Sequence, residues 1–150
     1  LLEKRMLRIG RNAQTLAEAI DAHVKRAPRG AISHVAYPGL PSHPGYAWTS
    51  GNSFRGGCFT LVFKPKYQRT WLYKRLLSLV LSEARKEKVP LVAGSSFGLN
   101  TTRVYLTALH ATGITKPFLR ISPGTECRAE LEALARVFTR AIDRLGLYTL

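Results

Sequence analysis

Acidic residues are scarce in this chain of 150 residues, where nine Asp and Glu stand against 23 Lys and Arg and give a formal charge of +14. Cysteine is nearly absent too, and two cysteines provide neither a disulfide framework nor a tetrahedral metal set. Their scarcity favours a reducing, cytoplasmic setting. No run of about 18 uncharged apolar residues occurs, so the sequence predicts no membrane-spanning helix.

Apolar residues are plentiful, at 45% of the chain, and 150 residues suit a single folded domain with its own core. The chain begins at Leu1, without Met and without a signal-peptide pattern. Apolar residues already follow a helical spacing from Leu2 to Ile20, and no capping residue precedes them. We therefore expect a piece of a longer polypeptide, with a trimmed terminus as the alternative.

The spacing of apolar, proline and glycine residues predicts alternating helices and short strands. The helices are expected over 2–25, 67–88 and 126–145, and the strands over 32–37, 58–63, 89–93 and 117–122. Residues 103–109 suit a strand or a helix, and residues 38–53 form a long loop. The predicted fold class is α/β (α+β), a small, mostly antiparallel sheet covered by helices on one side.

Arg120 is the first candidate site residue because it interrupts an apolar strand, Phe118-Leu119-Arg120-Ile121. A buried guanidinium is costly without an anionic partner, and its planar fork matches a carboxylate. Arg120 therefore pairs with an internal acid such as Glu126, or binds an anionic ligand, or lies on the solvent side of an edge strand.

The second candidate is the turn Ser95-Ser96-Phe97-Gly98, which follows a predicted buried strand. Backbone N–H groups and hydroxyls at such a strand end can hold an anion, although an ordinary polar turn has the same spacing. The four histidines, His110 among them, match no metal motif, and no metal site is predicted.

The basic charge raises nucleic-acid binding as a further hypothesis. The densest basic cluster lies at 64–88, with eight Lys and Arg and the aromatic residues Tyr67, Trp71 and Tyr73. Trp71 is predicted on the apolar face of its helix, which favours a core position over base stacking. A solvated helix face, or contact with an acidic neighbour, explains the charges without nucleic acid.

Taken in order, these segments resemble a known family over nearly the whole chain. They are YPGLPSHPGY (37–46), GG and its strand (56–63), SSFG (95–98) and FLRISPGTE (118–126). The set is similar to the C-terminal domain of the Cys/Met-metabolism family of pyridoxal-phosphate enzymes, of fold type I, which includes cystathionine gamma-synthase and cystathionine gamma-lyase. Residues 1–27 resemble the long helix that links the two domains of that family.

The resemblance implies roles for particular residues. Arg120 would bind the α-carboxylate of an amino-acid substrate, and Ser96 would support that carboxylate and border the cofactor. Ser95 is a further candidate, and Arg103 is either a second anion site or a surface residue, of which we favour the surface.

The resemblance also implies pyridoxal 5'-phosphate chemistry in sulfur amino-acid metabolism, as a lyase or a transferase. In the family the cofactor lysine belongs to the N-terminal domain, and no lysine of this chain has the matching sequence context. This chain alone is therefore expected to be inert, with no catalytic residue of its own. Its expected partners are the amino-acid substrate, the cofactor domain and sister subunits, and a basic nucleic-acid-binding or protein-interaction module is the alternative.

Overall fold

A computed structural model describes residues 1–107 and 116–149 of the chain. In this part the helices are α1 (Leu2–Arg26), α2 (Tyr46–Thr49), α3 (Thr70–Glu87) and α4 (Arg128–Leu145). The strands are β1 (Ile32–Ala36), β2 (Phe59–Phe63), β3 (Val92–Ala93), β4 (Arg103–Leu106) and β5 (Leu119–Ser122). Short 3-10 helices lie at Pro65–Tyr67 and Gly146–Tyr148. Of the undecided segment 103–109, the first four residues are strand, and its last two lie outside the described residues, as does His110.

The strands form one five-stranded sheet in the order β1-β2-β5-β4-β3. All neighbours are antiparallel except β3 and β4, which are parallel. Side chains alternate between the two faces of each strand, and one face is fully covered. Its buried members include Phe59, Leu61 and Phe63 from β2 and Leu119 and Ile121 from β5.

The three long helices supply the other half of the core. Their buried residues include Leu16 and Ile20 of α1, Leu76 of α3 and Phe138 of α4, which form one cluster with the covered sheet face. This mixed fold with a mostly antiparallel sheet confirms the predicted fold class. No helix in the described part of the chain is long and apolar enough to cross a membrane.

The opposite face of the sheet is only partly covered, and we call it the open face. It carries Thr60 of β2, Arg120 of β5 and Tyr105 of β4, which are direct neighbours across the strands. All three are half-buried. The open face is where the candidate site lies.

Two predictions about α3 and β3 are wrong. Trp71 is 54% exposed, because the buried residues Leu72, Leu76 and Val80 place the core on the far side of the helix from it. The predicted buried strand 89–93 is reduced to Val92 and Ala93 at the sheet edge, where both are exposed. Pro90, which cannot donate a backbone hydrogen bond, lies two residues before this short strand, and the strand forms at the edge of the sheet and not in its core.

Candidate functional site

Arg120 lies in the middle of the sheet. Its strand, β5, pairs with β2 on one side and β4 on the other, so the alternative of an edge strand is wrong. Thr60 and Tyr105 lie directly opposite Arg120 on the two neighbouring strands. The side chain projects from the open face because Leu119 and Ile121, on either side of it, point into the core.

The Arg120 guanidinium is held by the predicted turn and by two aromatic rings. Its Nη2 donates to the backbone carbonyls of Ser95 and Ser96, the latter at 3.4 Å. Its Cζ lies 4.7 Å from the centroid of the Phe97 ring and 5.3 Å from that of Tyr105. Cation–π contacts of this kind orient the guanidinium plane.

No carboxylate of the described residues contacts Arg120, so the alternative of an internal acid is wrong for Glu126. The Glu126 carboxylate instead accepts hydrogen bonds from Thr102 N, from Thr102 Oγ1 at 2.6 Å and from Gly124 N at 2.9 Å. Glu126 is satisfied by backbone and hydroxyl donors, and Arg120 therefore has no anionic partner within residues 1–107 and 116–149.

Two buried side-chain atoms in the described part of the chain lack any hydrogen-bond partner, and both belong to β5. They are Nε of Arg120 and Oγ of Ser122, two residues apart and therefore on the same face of the strand. Buried polar groups are nearly always paired in folded proteins. An unpaired guanidinium nitrogen beside an unpaired hydroxyl indicates the place of a missing acceptor.

The predicted turn lies within residues 94–99, which we call the 94–99 turn. It reaches Arg120 because it packs tightly against the end of β5 and the residues that follow it, 122–124. A Cβ on Gly98 would collide with the carbonyls of Ser122 and Pro123, and one on Gly124 would lie 2.6 Å from Thr101 N. Only glycine permits these two approaches. Asn12 of α1 completes the junction, since its Nδ2 donates to Gly124 O at 2.9 Å and to Glu126 O at 3.1 Å.

The structure brings the four predicted binding residues together. Ser95 and Ser96 are exposed, and they present backbone carbonyls to Arg120, whereas the sequence analysis considered their N–H groups and hydroxyls as a place for an anion beside the alternative of an ordinary polar turn. Arg103 is half-buried on the open face, opposite Ser122, and its role as a surface residue or a second anion site stays a prediction. Its Nη1 lies so close to Gly94 that a Cβ there would be 3.3 Å away.

The sequence analysis did not identify four residues that hold the 94–102 segment, β5 and α1 together at the site. They are Ser122, Thr102, Asn12 and Gly124. Ser122 and Gly124 lie in the segment after Arg120 that carried the family resemblance, and that resemblance was the only available signal for them. Asn12 is distant in sequence, and only the fold shows that α1 crosses this junction.

The tyrosine of the YPGL motif at 37–40 has a structural role, because it connects the loop to α1. The Tyr37 hydroxyl donates to Gly56 O at 3.1 Å and Gly10 O at 3.5 Å, and its ring is fully buried. Burial raises the pKa of Tyr37 to about 12, although the charge of Arg55 partly offsets the rise. This tyrosine joins the loop to α1 and stays neutral at physiological pH.

His23 lies away from the site and has a structural contact of its own. His23 Nε2 contacts the Asp143 carboxylate at 2.7 Å and joins α1 to α4, a partner that the sequence pattern did not reveal. In residues 1–107 and 116–149, no cluster of three His, Cys, Asp or Glu side chains has the geometry to bind a metal ion.

No family model matches the chain. Among curated proteins, it is similar to the bifunctional enzyme flvA of Aspergillus flavus, with 30% identity over 142 residues. The match covers 93% of this chain and 16% of that protein. The chain therefore spans only a small part of its curated relative.

Solved structures share the fold. Cystathionine gamma-synthase from Xanthomonas oryzae pv. oryzae, in complex with aminoacrylate and cysteine, is 21% identical with a TM-score of 0.70, and the match covers 99% of this chain and 36% of that one. Cystathionine gamma-lyase from Micromonospora echinospora is 24% identical with a TM-score of 0.65, and the match covers 95% and 35%. Yeast cystathionine gamma-lyase is 21% identical, covers 93% and 35%, and has a TM-score of 0.62. The resemblance that the sequence motifs indicated is confirmed at the level of the fold.

Proposed function

We propose that this chain is the substrate-binding C-terminal domain of a pyridoxal-phosphate-dependent enzyme of the trans-sulfuration type. Arg120 binds the α-carboxylate of the amino-acid substrate, and Ser96 supports it. The observation that carries the proposal is the buried Nε of Arg120, which has no partner on the open face of the sheet. The shared fold with cystathionine gamma-synthase and gamma-lyase supports it.

The surroundings of Arg120 suit a carboxylate. The Ser95 and Ser96 carbonyls hold Nη2, and the Phe97 and Tyr105 rings hold the guanidinium plane, so the cation is oriented before a ligand arrives. A carboxylate oxygen at Nε supplies the missing acceptor, and a charged pair with planar geometry is favourable there. Fixing the substrate by its carboxylate aligns its reactive bonds.

The polar turn beside Arg120 also fits a neighbouring cofactor. Ser96 is exposed at the edge of the carboxylate site and would border pyridoxal 5'-phosphate held mainly by another domain. When bound, the cofactor supplies an electron sink for carbanion chemistry at the substrate. The residues of this chain bind and orient the substrate, and the chain alone is inert.

The same proposal includes the domains of the whole enzyme and the partners of this chain. Residues 1–150 form one domain, and α1 within residues 1–27 links it to an N-terminal cofactor domain. The match to about 35% of the length of solved structures supports a larger parent protein. The cofactor domain and sister subunits are its partners, in cytoplasmic sulfur amino-acid metabolism.

The test is Arg120→Ala. In this chain we expect the Nε–Hε NMR signal of Arg120 to shift on titration with acetate, and Arg120→Ala to abolish the accompanying shifts of the 94–99 turn. In the enzyme with its cofactor domain, we expect KM to rise by roughly 10- to 100-fold with cofactor absorbance unchanged, because a charged hydrogen bond contributes about 1.5–3 kcal/mol.

The matched control is Arg29→Ala, which removes an exposed arginine after α1. It should leave both the acetate response and KM unchanged. An unchanged KM in Arg120→Ala would overturn the assignment.

A basic interaction module is the second candidate, and the exposure of Trp71 favours it. Trp71, Lys74 and Arg85 share the exposed side of α3, so an aromatic and two cations face solvent together. Such a surface has the composition of a nucleic-acid site.

A further inference from the structure

A groove follows the side of α3 that faces away from the core, and we call it the α3 groove. Its volume is about 390 Å³, and five residues line it, namely Lys74, Leu77, Ser78, Leu81 and Arg85. The two leucines are half-buried and form an apolar floor, whereas the other three residues are exposed. None of the five belongs to the carboxylate site, so the proposed function assigns no role to this groove.

The charged side chains of the α3 groove are all positive. Lys74 lies at one end and Arg85 at the other, eleven residues further along, which places them about 16 Å apart along the helix axis at ~1.5 Å rise per residue. The acids of α3 do not offset these charges, because Glu83 and Glu87 lie on the opposite side of the helix, where arginines of α4 bind them. In the described part of the chain, no acidic side chain lines the groove.

An exposed tryptophan lies next to the first end of the α3 groove. Trp71 precedes Lys74 by about one turn and Ser78 by about two turns, and therefore shares their side of the helix. Aromatic residues are enriched in protein–protein interfaces, where tryptophan in particular contributes much of the binding energy. This side of α3 thus combines an apolar floor, an aromatic side chain and a cation at each end.

The shape and composition of the α3 groove favour a helical protein segment over a nucleic acid or a membrane. A surface that binds single-stranded nucleic acid stacks bases on aromatic rings, whereas the floor of this groove is aliphatic. A helix that binds a membrane surface presents an apolar face outward to lipid, whereas these leucines lie between exposed polar residues. An amphipathic helix inserts its apolar side chains into a groove of this kind.

We propose that the α3 groove docks an acidic amphipathic helix of a partner protein. The leucine floor receives apolar side chains spaced three or four residues apart on the partner, and Lys74 and Arg85 pair with acids about three turns apart. Arg120 takes no part, so the proposal is independent of the carboxylate site. It gives a specific use to the part of the positive charge excess that α3 presents to solvent.

The experiment measures binding of a labelled synthetic peptide to the full 150-residue chain by fluorescence anisotropy. The peptide contains ~14 residues of leucine and glutamate, with leucine at every third or fourth position so that one helical face is apolar. A scrambled peptide of the same composition has no apolar face. We expect the amphipathic peptide to bind at least about tenfold more tightly than the scrambled one, because only the former fills the leucine floor.

Two double variants test the cations at the ends of the groove. Lys74→Ala with Arg85→Ala should weaken binding of the amphipathic peptide by roughly three- to tenfold, since each exposed ion pair contributes a small factor. Arg26→Ala with Arg29→Ala is the matched control, because it removes the same charge from exposed positions at the end of α1. The control should change the affinity by no more than about twofold, because distant exposed charges are screened by salt.

Ser78→Glu tests the middle of the groove without removing a buried group. Ser78 is exposed, so the fold should tolerate the change, and a carboxylate above the floor should repel the acidic peptide and lower its affinity by at least about tenfold. Thr15→Glu is the matched control, at an exposed position of α1, and should leave binding nearly unchanged. In a Trp48→Phe background, Trp71 is the only tryptophan, and its fluorescence should change when the amphipathic peptide binds.

Several results would overturn the proposal. They are equal affinity for the two peptides, an equal loss in the two double variants, and unchanged binding to Ser78→Glu. If single-stranded DNA binding is lost selectively in the Lys74 and Arg85 variant, α3 is a nucleic-acid interface instead. If Ser78→Glu abolishes cosedimentation with phosphatidylserine vesicles, or self-association of the chain, the occupant is a membrane or a second copy. The acetate response of Arg120 tests the proposed function separately.

Discussion

Glu126 is the residue on which the geometry around Arg120 depends. Its buried carboxylate accepts from Thr102 on one side and Gly124 on the other, so a single side chain fastens the end of the 94–102 segment to the segment after β5. The carbonyls that hold Arg120 belong to that same 94–102 segment. Glu126 is therefore a positioning residue for the segment that holds the Arg120 guanidinium.

We predict that Glu126→Gln lowers the free energy of unfolding by about 1–3 kcal/mol, because an amide NH₂ group then faces N–H donors in a buried position. The Arg120 Nε–Hε signal should also move or broaden in the free protein. Chemical denaturation and NMR measure the two effects.

The control is Glu132→Gln, since Glu132 is exposed and pairs only with exposed Arg128 among the described residues. A change there should stay within about 0.5 kcal/mol. Equal losses in the two variants would contradict the role of Glu126.

The sequence identified a candidate site residue where a charged side chain stands in an apolar segment. An arginine inside an apolar strand required an explanation, and Arg120 does lie at the centre of the candidate site. Its partners were not predictable, because Glu126 is close in sequence yet faces Thr102 and Gly124. Backbone carbonyls carry no sequence signal at all, so the roles of Ser95 and Ser96 required the fold.

Two acidic residues of α3 hold α4 in place. Glu83 accepts hydrogen bonds from Lys86 of its own helix, at 3.1 Å, and from Arg144 of α4. Glu87 contacts Arg136 and Arg140, one turn apart on α4. The basic helix that suggested an external acidic partner thus uses its own acids to bind the arginines of its neighbour.

These pairs predict a loss of stability in acid. The hydrogen bonds from Lys86 and then Arg144 hold the pKa of Glu83 below its ordinary value of 4.5. A glutamate with a depressed folded pKa stabilises fully above the ordinary value, and the contribution disappears as the pH falls through the folded pKa. We expect the free energy of unfolding to decline below about pH 4.5.

Glu83→Gln should lower stability at pH 7 by about 1–3 kcal/mol and make the decline in acid shallower. Urea denaturation between pH 7 and pH 3 measures both effects. Glu3→Gln is the control, because Glu3 is exposed near the start of α1 and should give a curve parallel to the parent. A Glu83→Gln curve parallel to the parent would contradict the prediction.

The extents of the long helices were largely predictable from the sequence. The side of each helix that faces the core was harder to predict. The long helices follow apolar spacing, and α1, α3 and α4 match their predicted extents within a few residues. Trp71 shows the limit, because it neighbours Leu72 in sequence but lies about 100° away from it around the helix. The remaining buried residues of α3 then decide which side is core, and Trp71 faces solvent.

The excess of positive charge belongs to the whole molecule. Nine acidic residues cannot neutralise 23 basic ones, even though Glu83 and Glu87 bind arginines of α4. Such a surface attracts polyanions without a dedicated site, and the attraction falls steeply with salt. A true nucleic-acid interface would instead concentrate the affinity in one patch.

We therefore predict that single-stranded DNA binds this chain at low salt, with an affinity that falls steeply as salt rises. Neutralising Lys74 and Arg85 on α3 should weaken it no more than neutralising Arg26 and Arg29 at the end of α1. Each lost phosphate contact changes the slope of log affinity against log salt by roughly 0.7. Equal slopes for the two double variants fit a diffuse charge, in agreement with the proposed binding of a small carboxylate at Arg120. A selective loss in the α3 variant, together with quenching of Trp71 fluorescence, would make α3 a nucleic-acid interface and favour the basic interaction module.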